Sequence, residues 1–257
     1  MTSDHMRTNY IFKLLEKGER IDGRKLDEFR EIKVLPNAIE RAEGSSRVIM
    51  GKTDVIVGIK LEIGVPFPDM PNMGTLKTGA EFSPIAHKDF EPGPPSEDAT
   101  ELARVVDRGI RESDCIELEK LCITEKEKAW DVYVDVHIIN HDGNLIDASS
   151  LAAVSALLNA RIPKLEDKTV IRTEFTGKLP VVKKPITVTI GKIMNNFLVD
   201  PTKDEEDIFD SRLSVATIED GKICAMQKGN KTGLKESDVE EMIKLSTKKA
   251  KELRKLL

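Results

Sequence analysis

Aromatic residues are scarce in this chain: one Trp, two Tyr and eight Phe make up 4% of its 257 residues. Few flat faces are therefore available on which nucleic-acid bases could stack. Cysteine is rarer still. Cys115, Cys122 and Cys224 are odd in number and lack any Cys-x-x-Cys spacing, which argues against a disulfide framework and a zinc site and leaves buried free thiols as the expectation. No run of about 18 apolar residues is present. The first residues, MTSDHMRTNY, lack the basic and apolar regions of a secretory leader. The expectation is a cytoplasmic chain without a membrane partner. Excess positive charge is missing too. A formal net charge of −5 argues against coating of nucleic acid through overall charge, so any such contact must be local.

What is present is ordinary globular composition, 39% apolar and 33% charged, enough for one large core or two moderate ones. The conspicuous segment is DPTKDEEDIFD from Asp200 to Asp210, six carboxylates in eleven residues. Clustered hard oxygens of this kind suit a divalent cation in phosphate chemistry. Arg212, two positions on, opposes that use, because a guanidinium stays charged and repels a cation where it projects. No metal and no cofactor is expected, and the loop reads as a solvated acidic turn.

The hydrophobic pattern divides the chain. Asn9 to Lys17 reads as a short amphipathic helix capped by Thr8. Val55 to Ile63 and Trp130 to Ile138 alternate apolar and polar with a period of two, the mark of strands with one buried face, and HisAspGlyAsn from His141 turns the chain. Proline-rich VPFPDMP from Val65 and FEPGPP from Phe90 separate elements, because proline cannot donate to a ladder. After the second, Ser96 caps a helix whose inner stripe is Ala99, Leu102, Ala103, Val106 and Ile110. SSLAAVSALLNA from Ser149 is apolar or small almost all round, which predicts a helix buried on several sides and ended by Pro163. Lys178 to Pro185 reads as a linker. Beyond it, strands are predicted at Ile186–Ile190, Asn196–Val199, Leu213–Ile218 and Ile223–Gln227, then a helix opened by the capping box of Ser237 and Glu240. Lys248, Lys249, Lys251, Arg254 and Lys255 on that helix read as a solvated face. Strands followed by a helix in both halves predict an α+β protein of two similar lobes: an N-terminal helix and extension over 1–28, a first domain over 29–180 and a second over 185–257.

GERIDGRKLDEFR from Gly18 resembles the RxDGRxxDExR opening segment of the RNase PH family of phosphorolytic exoribonucleases, and GSSRVIMGKTDVIVGIK from Gly44, the helix at Ser149 and the loop at Asp200 continue the likeness. KLEIGVPFPDMPNMG from Lys60, FEPGPPSEDATELARVVDRGIR from Phe90 and VDPTKDEEDIFDSRLSVAT from Val199 are most similar to the family's non-catalytic, RNase PH-like branch in the archaeal exosome. Several long segments in the right order form a specific signal. The resemblance implies an RNase PH-like fold, of the ribosomal protein S5 domain 2-like kind, with mixed sheets packed against helices. It also implies a hexameric ring, a trimer of heterodimers with the catalytic RNase PH-like exosome subunit, topped by RNA-binding cap subunits. Such a ring degrades single-stranded RNA from its 3′ end with phosphate as the attacking group.

Phosphorolysis brings one anion to another and needs fixed positive charge plus an acid or metal for the leaving oxygen. Catalytic relatives carry GlyGlySerArg or GlyGlyThrArg at a helix start, where amides and arginine hold phosphate. The matching stretch here is Ile146, Asp147, Ala148, Ser149, with Ser149 standing for the arginine. Asp147 repels an anion and reads as a helix cap. Catalytic relatives also place an aspartate where this chain has Arg212. Asp147, Ser149 and Arg212 are thus the positions of lost catalysis, and no catalytic residue is expected.

Arg104, Arg108 and Arg111 fall at i, i+4 and i+7 on one helix face. The resemblance assigns Arg104 and Arg108 to RNA phosphates at the partner interface, with Arg111 a further RNA-binding candidate. The plainer reading pairs Arg104 with Glu101 or Asp107, and Arg111 with Asp107. With few aromatics, RNA would be held through its backbone, without sequence preference. Lys52, Lys77 and Lys88 are possible additions to a channel. His87, His137 and His141 lack metal-ligand spacing. Two rival functions stay open: an active phosphorolytic 3′–5′ exoribonuclease using Asp200 and Asp210, and a stand-alone RNA-binding module.

Overall fold

The computed structural model describes residues 2–166 and 169–257. The first helix, α1 (Thr2–Leu15), starts earlier than its pattern suggests, since no glycine or proline interrupts residues 2–15. Thr8 therefore lies inside it and caps nothing. Strands β1 (Ile32–Pro36), β2 (Gly44–Met50), β3 (Thr53–Gly64) and β4 (Thr75–Phe82) follow, then α2 (Glu97–Arg111), β5 (Cys122–Thr124) and β6 (Lys128–Asn140). They form one sheet in the order β1-β2-β3-β6-β4, with β5 beside β6. The β4–β6 pair is parallel, bridged by the crossover through α2, and the other pairs are antiparallel. Val55, Val57, Ile59 and Leu61 are fully buried, as are Val132, Val134 and Ile138 opposite them. The alternation read from the sequence is the inner face of this sheet.

Ser96 caps α2 by accepting from the Ala99 amide, and the apolar stripe from Ala99 to Ile110 is buried. Helix α3 (Leu145–Asn159) is buried without a break from Leu145 to Leu157. It packs on β2 and β3 with one face and on the second lobe with another, which is why its composition is apolar or small all round. It ends at Ala160, not at Pro163. Pro163 lies inside a hairpin, β7 (Arg161–Glu166) with β8 (Thr169–Lys178), at an irregularity of register where a missing N–H costs no ladder bond.

The second lobe holds β9 (Ile186–Ile193), β10 (Asn196–Val199), the short α4 (Lys203–Glu206), β11 (Ser211–Thr217), β12 (Ile223–Gly229) and α5 (Glu236–Arg254). Its sheet runs β10-β9-β11-β12, all antiparallel. Helix α5 opens at Lys235, whose amide donates to Asp238, so Ser237 and Glu240 sit within the helix and do not cap it. Its basic residues are not one solvated face. Lys249 is buried between Asp27 and Glu252, and Arg254 donates to backbone oxygens of Lys184 and Thr217. Ile11 and Leu15 of α1 pack against Ile193, Leu198 and Phe209 of this lobe. Cys115 is buried, and Cys122 and Cys224 are half-buried. No described helix is long and apolar enough to cross a membrane.

Candidate nucleic-acid interface

The predicted turn after β6 sets the start of α3. Gly143 and Asn144 both have left-handed backbones, at φ +85° and +56°. A Cβ at Gly143 would lie 2.4 Å from the Pro201 carbonyl, so only glycine allows the acidic loop to approach this closely. Thr53 Oγ1 donates to the Gly143 carbonyl at 2.6 Å and accepts from the Asp142 amide at 3.2 Å, which locks the turn to β3.

An open helix N-terminus would offer free amides to an anion. Here the Asn144 amide donates to Glu206 Oε1 at 3.2 Å. Asp147 does not cap the helix as its place in the sequence suggested. It is the third helical residue, fully buried, and its Oδ1 accepts from the Thr189 amide of β9 at 2.8 Å. Burial pushes this carboxyl up to about 8, against the opposing hydrogen bonds from Thr189. Ser149 is also fully buried, with an unpartnered Oγ. The helix start is thus a junction between the two sheets.

The loop from Asp200 to Asp210 is not a solvated turn. Asp200 has no exposed surface and accepts from the Arg30 amide, Nε and Nη2 at 2.7, 2.9 and 2.6 Å, from Arg24 at 3.1 Å, and from Asn144 Nδ2 at 3.0 Å. Burial alone would raise its pKa, but the bonds and charge of Arg30 outweigh that and hold the carboxyl below its ordinary range. Glu205, equally buried, takes Arg20 in a two-pronged pair at 2.9 and 2.5 Å. Arg7 holds Asp204, Lys203 holds Asp207, and the Met194 amide donates to Asp210 at 2.6 Å. Arg20, Arg24 and Arg30 belong to the Gly18–Arg30 segment. That motif is a clamp on the acidic loop, a role that no local pattern in the sequence reveals.

Beside α3 opens a cavity of about 1100 Å³, bordered by Phe90, Glu101, His141, Lys203, Glu206 and Arg212. Phe90 stacks on His141 with ring centroids 5.5 Å apart. Burial, with Lys203 and His87 nearby, pushes His141 down to about 4, so it is neutral near pH 7. Burial likewise raises Glu206 above the usual carboxylate range, against the opposing charge of Arg212. Arg212, on β11, crosses its neighbour β12 at Gly229, where a Cβ would meet the guanidinium Nε at 2.2 Å. Its Nη2 reaches Glu101 on α2 at 2.7 Å.

Of the three arginines on α2, two share a hollow and one does not. Arg104 is exposed and makes no hydrogen bond or ion pair among the described residues. Arg108, half-buried, donates to Gln227 Oε1 of β12, while its buried Nε has no acceptor. Pro95, Glu97, Thr100, Glu101, Val105 and Gln227 complete the hollow around them. Arg111 turns to the other side. It pairs with Asp107 at 2.9 Å and donates to the Leu76 carbonyl of β4. Glu101 does not pair with Arg104, because Arg212 has taken it. Lys77 is bound to Asp131 at 2.6 Å, and Lys52 and Lys88 are exposed away from these contacts. His137, on the outer face of β6, lies 3.4 Å from Glu81. Sequence reasoning offered Glu101 only to Arg104 and missed Gln227, because the bonds that Arg212 and Arg108 make to these two residues span more than 100 residues of chain.

The sequence model of the 3′ exoribonuclease family matches residues 28–163 with its domain 1 and residues 184–249 with its domain 2. This chain belongs to the 3′ exoribonuclease family. The likeness read from Gly18–Arg30 and the later segments is borne out, and so is the RNase PH-like α+β fold. Exosome complex component Rrp42 of Methanopyrus kandleri is 48% identical over 253 residues, covering 97% of this chain and 95% of its own length. The same component of Methanothermobacter thermautotrophicus is 50% identical over 246 residues, covering 95% and 91%. Among solved structures, a chain of the Archaeoglobus fulgidus exosome with RNA bound to the active site superposes with a TM-score of 0.93 at 43% identity, covering 99% of both chains. A chain of an archaeal exosome core gives 0.86 at 41% identity, covering 99% and 98%. Rice Rrp46, at 16% identity and a TM-score of 0.69, shares the fold.

Proposed function

We propose that this chain is a non-catalytic, RNA-guiding subunit of an archaeal-type exosome in the cytoplasm. It pairs with a catalytic RNase PH-like homologue, three such heterodimers close a hexameric ring, and RNA-binding cap subunits sit on top. In this reading residues 29–180 and 185–257 are the two domains that build the ring, and the segment before them is an extension. Arg104 and Arg108 hold phosphates of single-stranded RNA entering the partner's site, each with a planar fork suited to phosphate oxygens.

The observation that carries this reading is the state of α3 and its surroundings. A phosphate-binding helix start needs free amides and a nearby cation. Here Glu206 takes one amide of the helix start, that of Asn144, and brings a carboxyl group to the place of the anion, while Asp147 bonds to Thr189 and Ser149 lies in the interior in place of a cation. The group needed to protonate a leaving oxygen is replaced by Arg212, which is spent on Glu101. Asp200, in turn, is saturated by Arg30 and Arg24. The relatives' description as exosome components, one of them from a complex with RNA, fits a partner that supplies the missing chemistry.

The test is reconstitution. The purified chain should release no nucleoside diphosphate from single-stranded RNA in phosphate buffer, and addition of a catalytic family member should produce that activity. Turnover by the chain alone, abolished by Asp210→Asn, would overturn the proposal. A stable monomer that binds RNA and no family member would do the same.

A further inference from the structure

The Arg212 guanidinium heads a chain of hydrogen bonds that ends on α2. Arg212 Nη2 donates to Glu101 Oε2 at 2.7 Å, Gln227 Nε2 donates to Glu101 Oε1 at 3.5 Å, and Gln227 Oε1 accepts from Arg108 Nη2 at 2.5 Å. The polarity is consistent along the line: a cation, a carboxylate, an amide that gives with one end and accepts with the other, and a second cation. Glu101 also stands three residues before Arg104 on α2, a spacing at which helical side chains meet and pair. That pairing does not form. Glu101 turns to Arg212, and Arg104 is left without an anion among the described residues.

We infer that Arg212 is a positioning residue for the RNA-facing arginines: it draws Glu101 away from Arg104 and, through Gln227, aims Arg108. The inference rests on the proposed RNA-binding role of Arg104 and Arg108. In physical terms, Glu97 and Glu101 both line a hollow meant for an anion, and Glu101, the one spaced to pair with Arg104, would there both occupy a guanidinium and repel the phosphate. Binding it to a third arginine removes both effects. Gly229 is part of the arrangement, because the Arg212 side chain occupies the space that any Cβ there would fill.

The experiment measures binding of a fluorescent oligoadenylate at low salt by this chain assembled with a catalytic family member. Arg104→Glu with Arg108→Glu comes first, and an unchanged affinity there removes the RNA-binding role itself. Given a loss in that variant, Arg212→Met should weaken binding about fivefold, the value of roughly one exposed ion pair. Arg212→Lys should retain most of the affinity. Adding Glu101→Gln to Arg212→Met should restore binding to within about twofold of the parent, since the freed carboxylate is then gone. A merely structural role for Arg212 predicts no such rescue. Gly229→Ala, which displaces the guanidinium and keeps its charge, should reproduce the loss if Arg212→Met does not fold. Unchanged affinity in Arg212→Met, or a loss that Glu101→Gln does not repair, overturns the inference.

Discussion

Around Asp200, three arginines from residues 20–30 meet carboxylates with no exposure to solvent, and each guanidinium ends on at least one of them. Around Arg212 the count runs the other way. Glu101 answers Arg212, Arg108 finds a neutral amide, and Arg104 finds nothing among the described residues. The same side-chain chemistry therefore builds two different objects. A saturated, dry network joins segments far apart in sequence and offers no charge to a ligand. An unsaturated one keeps positive charge available, with Arg104 screened by solvent and Arg108 holding a buried Nε without an acceptor. Whether an arginine is structural or available for binding is decided by what is left over after its neighbours are counted.

The largest expected effect breaks the dry network. Arg20→Ala strands the buried Glu205 carboxylate and should lower unfolding free energy by about 3–5 kcal/mol, seen as a drop in Tm. The unsaturated network should be insensitive to the equivalent change, with Arg104→Ala within about 0.5 kcal/mol of the parent. A comparable loss from both would erase the distinction.

Buried carboxylates sharpen the contrast through pH. Asp147 has a folded pKa raised to about 8, so the folded chain holds a proton that the unfolded chain gives up near pH 4. Its contribution is fully present below the unfolded value and declines as pH rises toward 8. Asp200 is depressed, and its contribution is present above the ordinary carboxylate range and lost as pH falls through the folded value. Asp147→Asn, which keeps an oxygen for the Thr189 amide, should flatten the decline between pH 5 and 8 by on the order of 4 kcal/mol. Denaturant titrations at several pH values would measure it, and an unchanged slope would contradict a protonated Asp147.

Smaller effects belong to binding. Arg104→Glu with Arg108→Glu should leave Tm nearly unchanged while RNA affinity falls, and the slope of log K against log salt should become shallower by about 1.4, two single-strand phosphate contacts. Arg111→Ala should be the mildest change. It removes an exposed helical pair worth about 0.3–0.5 kcal/mol and, since Arg111 faces β4, should leave RNA affinity within about twofold. An effect of Arg111→Ala equal to that of Arg104→Ala would put all three arginines in one site.

The parts legible in the sequence were those governed by local periodicity. The alternation at Val55–Ile63 and Trp130–Ile138, the cap at Ser96 and the all-round apolar helix after Ser149 each arise from neighbours within a few residues. Strand β10 matches its expected bounds for the same reason. Helix ends were harder, as Thr8 and Ser237 show: a residue able to cap does so only when the backbone bends there. Pro163 misled because its usual meaning, a stop, gave way to a place in an irregular hairpin. For the site, the helical arginines could be found by spacing, but not that Arg111 turns to Leu76 and Asp107 while Arg108 turns to Gln227. Least visible was the fate of the acidic loop. Six carboxylates look solvated until Arg20, Arg24 and Arg30, some 170–185 residues away, are folded onto two of them, Asp200 and Glu205.

Ser149 carries one last implication, about history. Ser149, with no exposed surface in a helix packed between two sheets, stands in the proposed reading where catalytic relatives hold an arginine. Regaining a guanidinium there would mean finding room and a counter-charge for it in dry interior, with Asp147 committed to Thr189 next door. In the proposed reading, the interior has closed over that position, so an arginine restored there alone would lie buried and unpaired and would not reopen the cleft.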